Sequence, residues 1–98
     1  MKKLEFIKVI VTRHPGLVEY LKEEGMISED INVLTHASAV DVRDKHVLGV
    51  LPHSLSCLTK TFTEVPLSLP SELRGKELSA DDVRQYAGHP VIYRVERI

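Results

Sequence analysis

The chain holds a single cysteine, Cys57, no tryptophan, and aromatic residues at only 5% of its 98 positions. One thiol excludes an internal disulfide and fits a reducing compartment. Cys57 sits among apolar neighbours, Leu55 and Leu58, and reads as buried filler in preference to a nucleophile. So few aromatics exclude a stacking platform for a long single strand. The formal net charge of −1 excludes a broadly basic, nucleic-acid-coating surface. Any nucleic-acid ligand is therefore expected to be small and held in a local pocket. No apolar run is long enough to span a bilayer. Met1-Lys2-Lys3-Leu4 opens basic, but Glu5 and Lys8 interrupt it before a signal-peptide core develops, so the expected location is cytoplasmic, with no membrane partner. P-loop, G-x-G-x-x-G and G-x-S-x-G motifs are all missing, which removes the basic parts of triphosphatase, dinucleotide-dependent and hydrolase-elbow chemistry. His36, His46, His53 and His89 lack H-x-x-x-H or H-E-x-x-H spacing and there is no cysteine cluster, so neither metal nor other cofactor is expected.

What is present is an ordinary globular composition, 43% hydrophobic and 28% charged, with room for one domain over residues 1–98 and one modest core. Leu4 to Val11 reads as a strand, and the unbroken Val9-Ile10-Val11 suits a central strand covered on both faces. Leu17, Val18 and Leu21 then share one helical face, which Gly25 ends. Ile31 to Thr35 is a second strand whose pairing direction the sequence leaves open. Residues Ala39 to Lys45 fit one helical turn or an irregular crossover. His46 to Leu51 is a third strand, followed by a helix from about Leu55 to Phe62, and Val65 to Leu69 is a fourth strand. Ser79 and Asp82 form a capping box, Leu78 can staple to Val83, and Gly88 stands where a left-handed C-terminal residue belongs. Val91 to Val95, entered from Pro90, alternates and carries charge as an edge strand does. The order predicts a small three-layer α/β domain with a mainly parallel sheet of about five strands. Its crossovers bring Arg13, His14, His53, Ser54, Ser71 and Arg74 to one rim.

The organising stretch is Val9 to Gly16. Pro15 suits a first helical position, which puts His14 at the N-cap. Histidine caps poorly, so the N–H groups of Gly16, Leu17 and Val18 are expected to be free for an outside anion. With the helix dipole and the Arg13 guanidinium they would make a phosphate-sized site at the carboxyl end of a strand. The plainer alternative is a solvated Arg13 and a His14 that only starts a helix.

Three motifs extend this reading: Val11-Thr12-Arg13-His14-Pro15-Gly16, then Gly49-Val50-Leu51-Pro52, then Leu69-Pro70 with Leu73-Arg74-Gly75-Lys76-Glu77-Leu78-Ser79. In this order they resemble the small CRISPR-associated proteins of the Csx series, subtype sixteen, over nearly the full length. Asp44-Lys45 departs from that pattern, which has a Gly-Asp turn before the third strand. The resemblance implies a Rossmann-like homodimer that binds cyclic tetra-adenylate and linearises it, a ring nuclease of type III CRISPR defence. Thr12-Arg13-His14 also resembles the Arg-His pair of histidine phosphatases, but Pro15 breaks their Arg-His-Gly and the chain is about half the length they need.

On that implied activity, Arg13 would carry the cation for the charge developing on phosphate, and His14 or His53 the proton transfers. Ligand contacts are expected from Thr12, Pro15, Gly16, His36, Ser38, Pro52, Ser54, Ser71 and Arg74. Several have plainer alternatives. Ser54 could be the N-cap of the second helix, Arg74 could pair with Glu77 or meet a carbonyl, and His36 could simply be packed. His46 and His89 look structural or exposed, and Lys45 is a weak candidate. Two other functions remain open on the sequence: a protein that sequesters the ring without cutting it, and an interaction module with no nucleotide ligand.

Overall fold

The computed structural model describes residues 4–98, so the basic opening at Met1-Lys2-Lys3 lies outside the described residues. Its framework is a five-stranded sheet in the order β2-β1-β3-β4-β5. The strands are β1 (Val9–Val11), β2 (Asn32–Leu34), β3 (His46–Gly49), β4 (Thr61–Glu64) and β5 (Val91–Tyr93). The first four run parallel, which settles the direction of β2, and β5 returns antiparallel along β4. Between them lie α1 (Pro15–Glu23), α2 (Ala39–Val42), α3 (His53–Ser56) and α4 (Ala80–Tyr86), with a 3-10 turn at Ser71–Leu73. This is the mainly parallel, Rossmann-like α/β architecture that the sequence predicts.

The central strands are apolar without alternation because both faces are covered. Ile10 and its register partner Leu48 point to one side, into a core with Leu17 and Leu21 of α1 and Leu78 and Val83 beside or on α4. Val9, Val11 and Val47 point to the other, against Val42 of α2 and the half-buried Leu51, Leu55 and Leu58. Leu21 and Ile10 are fully buried; removing one such side chain from water contributes about 1.5–3 kcal/mol. The helix ends follow local rules. Gly25 takes φ +66° after α1, and Ser79 and Asp82 exchange reciprocal bonds of 3.1 Å at the start of α4. Asp44, the point of departure from the resembled pattern, adopts φ +59°, a left-handed conformation that Asp tolerates better than most residues.

Four expectations need correction. The helix placed at Leu55 to Phe62 is only the short α3, and Thr61–Glu64 is instead β4. Leu55, Leu58 and Phe62 have helical spacing, but Thr61-Phe62-Thr63 is rich in β-branched and aromatic residues, and the sheet offers β3 as a partner. The strand placed at Val65 to Leu69 is extended chain outside the sheet. Pro66 and Pro70 remove ladder donors, and Leu67 makes only an isolated bridge to Ala87. Its Val65, Leu67 and Leu69 still pack on the α1 core, which explains their alternation. Gly88 is not left-handed: Ala87 leaves α4 extended (φ −76°, ψ 135°), and the Gly88 N–H donates to the Pro66 carbonyl at 2.8 Å. The first strand begins at Val9, since residues 4–6 form a turn that pins Leu4 N–H to the Met26 carbonyl at 2.9 Å. The last strand lies at the edge as expected, with Val91, Ile92 and Tyr93 all exposed. Among the described residues no helix is long and apolar enough to cross a membrane.

Candidate functional site

The chain steps from β1 outward to β2, then crosses back over β1 to β3, so the connections diverge between β1 and β3. Open α/β sheets bind ligands at that point, outside the carboxyl ends of the strands. The local sequence shapes it. The Thr12 N–H donates to the Leu34 carbonyl at 2.9 Å and extends the β1–β2 ladder by one rung, while the buried Thr12 Oγ1 accepts the His14 N–H at 3.1 Å. That hydroxyl-to-backbone turn reverses the chain directly after the strand and leaves Arg13 exposed. His14 is the N-cap of α1 with no side-chain cap bond, and Pro15 opens the helix.

Of the three amides expected to be free, one is. Leu17 N–H donates to the His14 carbonyl at 3.0 Å, and Val18, the fourth helical residue, is where the regular i→i−4 ladder begins. Gly16 N–H has no partner among the described residues. Gly16 is also held by contact: a Cβ there would lie 2.2 Å from the Leu78 carbonyl oxygen, so only glycine lets α1 start against the chain entering α4. The Nδ1 atom of His14 is buried and lacks a hydrogen-bond partner among the described residues.

Arg13 and His14 line a groove of about 500 Å³ at the switch point, together with Thr12, His36 from the end of β2, and Leu51 and Pro52 from the end of β3. No carboxylate lines this groove. Arg13 forms no ion pair among the described residues. A guanidinium with no ion pair and two imidazoles make this wall favourable for an anion, with the start of α1 and the buried Gly16 behind it.

The remaining candidates divide. Thr12, Arg13, His14, His36 and Pro52 come together, Gly16 lies at the helix start beside them, and Pro15 borders an adjoining groove. His53 lines two other cavities, one shared with Ser54 and Cys57 and one with Glu64 and Tyr93. Ser54 is not a cap, because Pro52 holds that position; it is exposed in the first turn of α3, where its carbonyl accepts the Cys57 Sγ–H at 3.5 Å. Cys57 is half-buried, not fully enclosed. Ser71 is exposed in the 3-10 turn with its hydroxyl 3.5 Å from Glu72. Arg74 is exposed, and the pairing expected with Glu77 is not among the ion pairs of the described residues. Ser38 holds α2 in place: its N–H and Oγ donate to Asp41 Oδ2 at 2.8 and 3.0 Å. Those bonds keep the Asp41 carboxyl below its ordinary value, the backbone bond contributing most. His46 is structural, 2.7 Å from the Thr61 hydroxyl and edge-on to Phe6; His89 is exposed.

Thr35, Val50 and Leu55 also line the groove, although none was expected as a ligand contact. Their signal was positional, since Thr35 and Val50 directly follow two apolar strands. Among the described residues no three His, Cys, Asp or Glu side chains converge as a metal site.

No curated protein and no solved structure shows significant similarity to the chain. A family model does match, over residues 9–96, from the first residue of β1 to beyond β5. The chain belongs to the CRISPR-associated protein family Cas_VVA1548.

Proposed function

We propose that this protein is a ring nuclease, a metal-independent phosphodiesterase that binds cyclic oligoadenylate, with cyclic tetra-adenylate the expected ring, and linearises it to switch off type III CRISPR signalling. The observation that carries the reading is Arg13, exposed and without an ion pair at the β1–β3 switch point, on a groove wall with two imidazoles and no carboxylate. Membership of a CRISPR-associated family, with the three motifs resembling the Csx series, subtype sixteen, supports cyclic oligoadenylate as the ligand of that anion site. Two copies in a homodimer would offer two such sites to opposite phosphates of one ring.

Cleavage consists of attack by a ribose 2′-oxygen on the adjacent phosphorus and departure of the 5′-oxygen. The products carry a 2′,3′-cyclic phosphate at one end and a 5′-hydroxyl at the other. The proton leaves the 2′-OH to a base, and a proton is delivered to the departing oxygen by an acid. His14, which shares the groove with Arg13, takes the proton-transfer role, because an imidazole exchanges protons readily near neutral pH. Arg13 neutralises charge developing on the non-bridging oxygens, and its planar fork suits two of them at once. His36 is the second imidazole on the same groove.

The test is incubation of purified protein with cyclic tetra-adenylate in EDTA, with products read by mass spectrometry. Linear oligoadenylate ending in 2′,3′-cyclic phosphate is expected. Tight binding with intact ring at excess protein identifies a sequestering protein instead. Neither binding nor cleavage of any cyclic oligoadenylate removes the nucleotide reading altogether.

A further inference from the structure

Arg13 borders two grooves of opposite character. The one already described has no carboxylate. The other, about 580 Å³, runs between α1 and the edge strand β2. Its apolar surface comes from Pro15, Val18 and Val33. Val33 is in register with Ile10 and so faces the α1 side of the sheet, yet it is 40% exposed because β2 has no outer neighbour among the described strands. Three carboxylates and the Lys22 ammonium border this groove, and the carboxylates differ. Glu23 is tied to Arg84, while Glu19 and Glu29 are exposed with no ion pair or hydrogen bond among the described residues.

This combination selects its occupant by an apolar floor and two unpaired acceptors. Arg13 and Lys22 are both on the lining, and Arg13 is the cation shared with the carboxylate-free groove, which makes it the place for the phosphate. What fits beside it is a neutral, flat, largely apolar ring that can pack on Val18 and Val33 and donate N–H bonds to a carboxylate. We propose that this groove is the base subsite for the nucleotide whose phosphate Arg13 holds, and that it accepts an amino-bearing purine whose exocyclic N–H groups donate to Glu19 or Glu29. The inference rests on the ring-nuclease reading and adds the means by which the site distinguishes adenine from bases without an amino group. A bond to an ionised acceptor is stronger than a neutral one, and a site built around such a bond rejects the analogue that lacks the donor.

The test compares equilibrium binding of cyclic tetra-adenylate with that of the same ring built from purine riboside, which keeps every phosphate and removes only the amino group. Wild-type protein is expected to prefer the adenylate ring by about tenfold or more, the scale of one hydrogen bond to a charged group. In the E19Q/E29Q double variant the preference is expected to shrink towards unity, with E77Q, an exposed carboxylate outside the groove, leaving it unchanged. Equal wild-type affinity for the two rings, or an undiminished preference in the double variant, overturns the base subsite while ring binding and cleavage stand. If wild-type protein binds neither ring, the ring-nuclease reading falls first and takes the subsite with it.

Discussion

A Cβ on Gly49 would lie 1.9 Å from the carbonyl oxygen of Val11, its register partner across the β1–β3 pair. That same carbonyl accepts the Val50 N–H at 3.0 Å. Gly49 sits at φ +137°, a region that side-chain-bearing residues avoid, so the last rung of β3 closes on β1 only because no Cβ intervenes. The strands are thereby locked where the groove begins, and the loop bearing Leu51 and Pro52 takes its direction from this rung.

Gly49→Ala should therefore destabilise the protein by about 2–4 kcal/mol, from strain and a forced separation of the strands. Urea unfolding checks this: the midpoint falls with the slope unchanged. Ring binding should weaken as well, because the displaced rung carries one wall of the groove. An unchanged midpoint would mean that the β1–β3 contact relaxes at no cost.

On the proposed activity, Arg13→Ala should lower affinity for cyclic tetra-adenylate and slow cleavage together, since the guanidinium would meet phosphate in both ground and transition states. Loss of a charge-assisted bond predicts a change of about tenfold or more in the dissociation constant. Arg13→Lys should recover only part, because an ammonium keeps the charge and loses the planar fork. Binding titrations at two salt concentrations add a second readout. The wild-type affinity should fall with salt, and the Arg13→Ala affinity should fall less steeply.

His14→Ala should separate rate from binding. A proton-transfer residue is worth about 10²–10⁴ in rate, so single-turnover cleavage should drop by that order while the dissociation constant changes far less. Equal losses in both would make His14 a positioning group for the ligand. Its buried, unpartnered Nδ1 is consistent with a ring held by packing beside the helix start.

Features set by short-range chemistry were the legible ones. The Pro15 start of α1, the Gly25 stop and the Ser79–Asp82 box each depend on residues within one turn of one another, and each is where the sequence predicts it. The three-layer parallel architecture was legible too, because Val9-Ile10-Val11 can be apolar throughout only if both faces are covered. The stretch from His53 to Leu69 was not. Its apolar spacing fits a helix, and only the availability of β3 as a partner turns Thr61–Glu64 into a strand. That one shift displaces the fourth-strand loop. It helps explain why Ser71 and Arg74, expected on the same rim as Arg13, do not line its grooves. The groove on the far side of Arg13 left no mark in the sequence, since Glu19, Glu29 and Val33 converge only once β2 is known to lie at the edge beside α1.

Gly16→Ala tests how α1 is seated. The added methyl would lie 2.2 Å from the Leu78 carbonyl oxygen and 2.6 Å from the Ser79 carbonyl carbon, both backbone atoms with little freedom to yield. A loss of about 1–3 kcal/mol is expected, of the kind produced by overpacking. Because the strain falls at the helix start, the free amide should also move relative to Arg13, and ring affinity should fall. Leu17→Met, a volume-conserving change one residue on, should cost less than about 1.5 kcal/mol and leave affinity intact. Loss of affinity in Gly16→Ala but not in Leu17→Met would tie binding to the seating of the helix start, beyond general stability.

One contribution to pH dependence comes from the Asp41 carboxyl. Ser38 donates its N–H, and then its hydroxyl, to Asp41, and these bonds with the weaker attraction of Lys45 hold the Asp41 carboxyl below its ordinary value of 3.8. A group whose value is depressed by folding stabilises the fold fully above its unfolded value, and that contribution is lost as pH falls through the folded one. The capping box of α2 should therefore persist through mildly acidic conditions and loosen only below pH 3.8. A carbon-detected NMR titration of Asp41 should show a midpoint under that figure, and Ser38→Ala should raise it only in part, because the backbone N–H remains. Asp41→Asn removes the charge at every pH, so it should loosen the 36–38 segment at neutrality and, through His36, weaken ring binding without changing the chemistry at Arg13. A wild-type midpoint at or above the ordinary value would mean that the box does not form in solution and that His36 is not held by it.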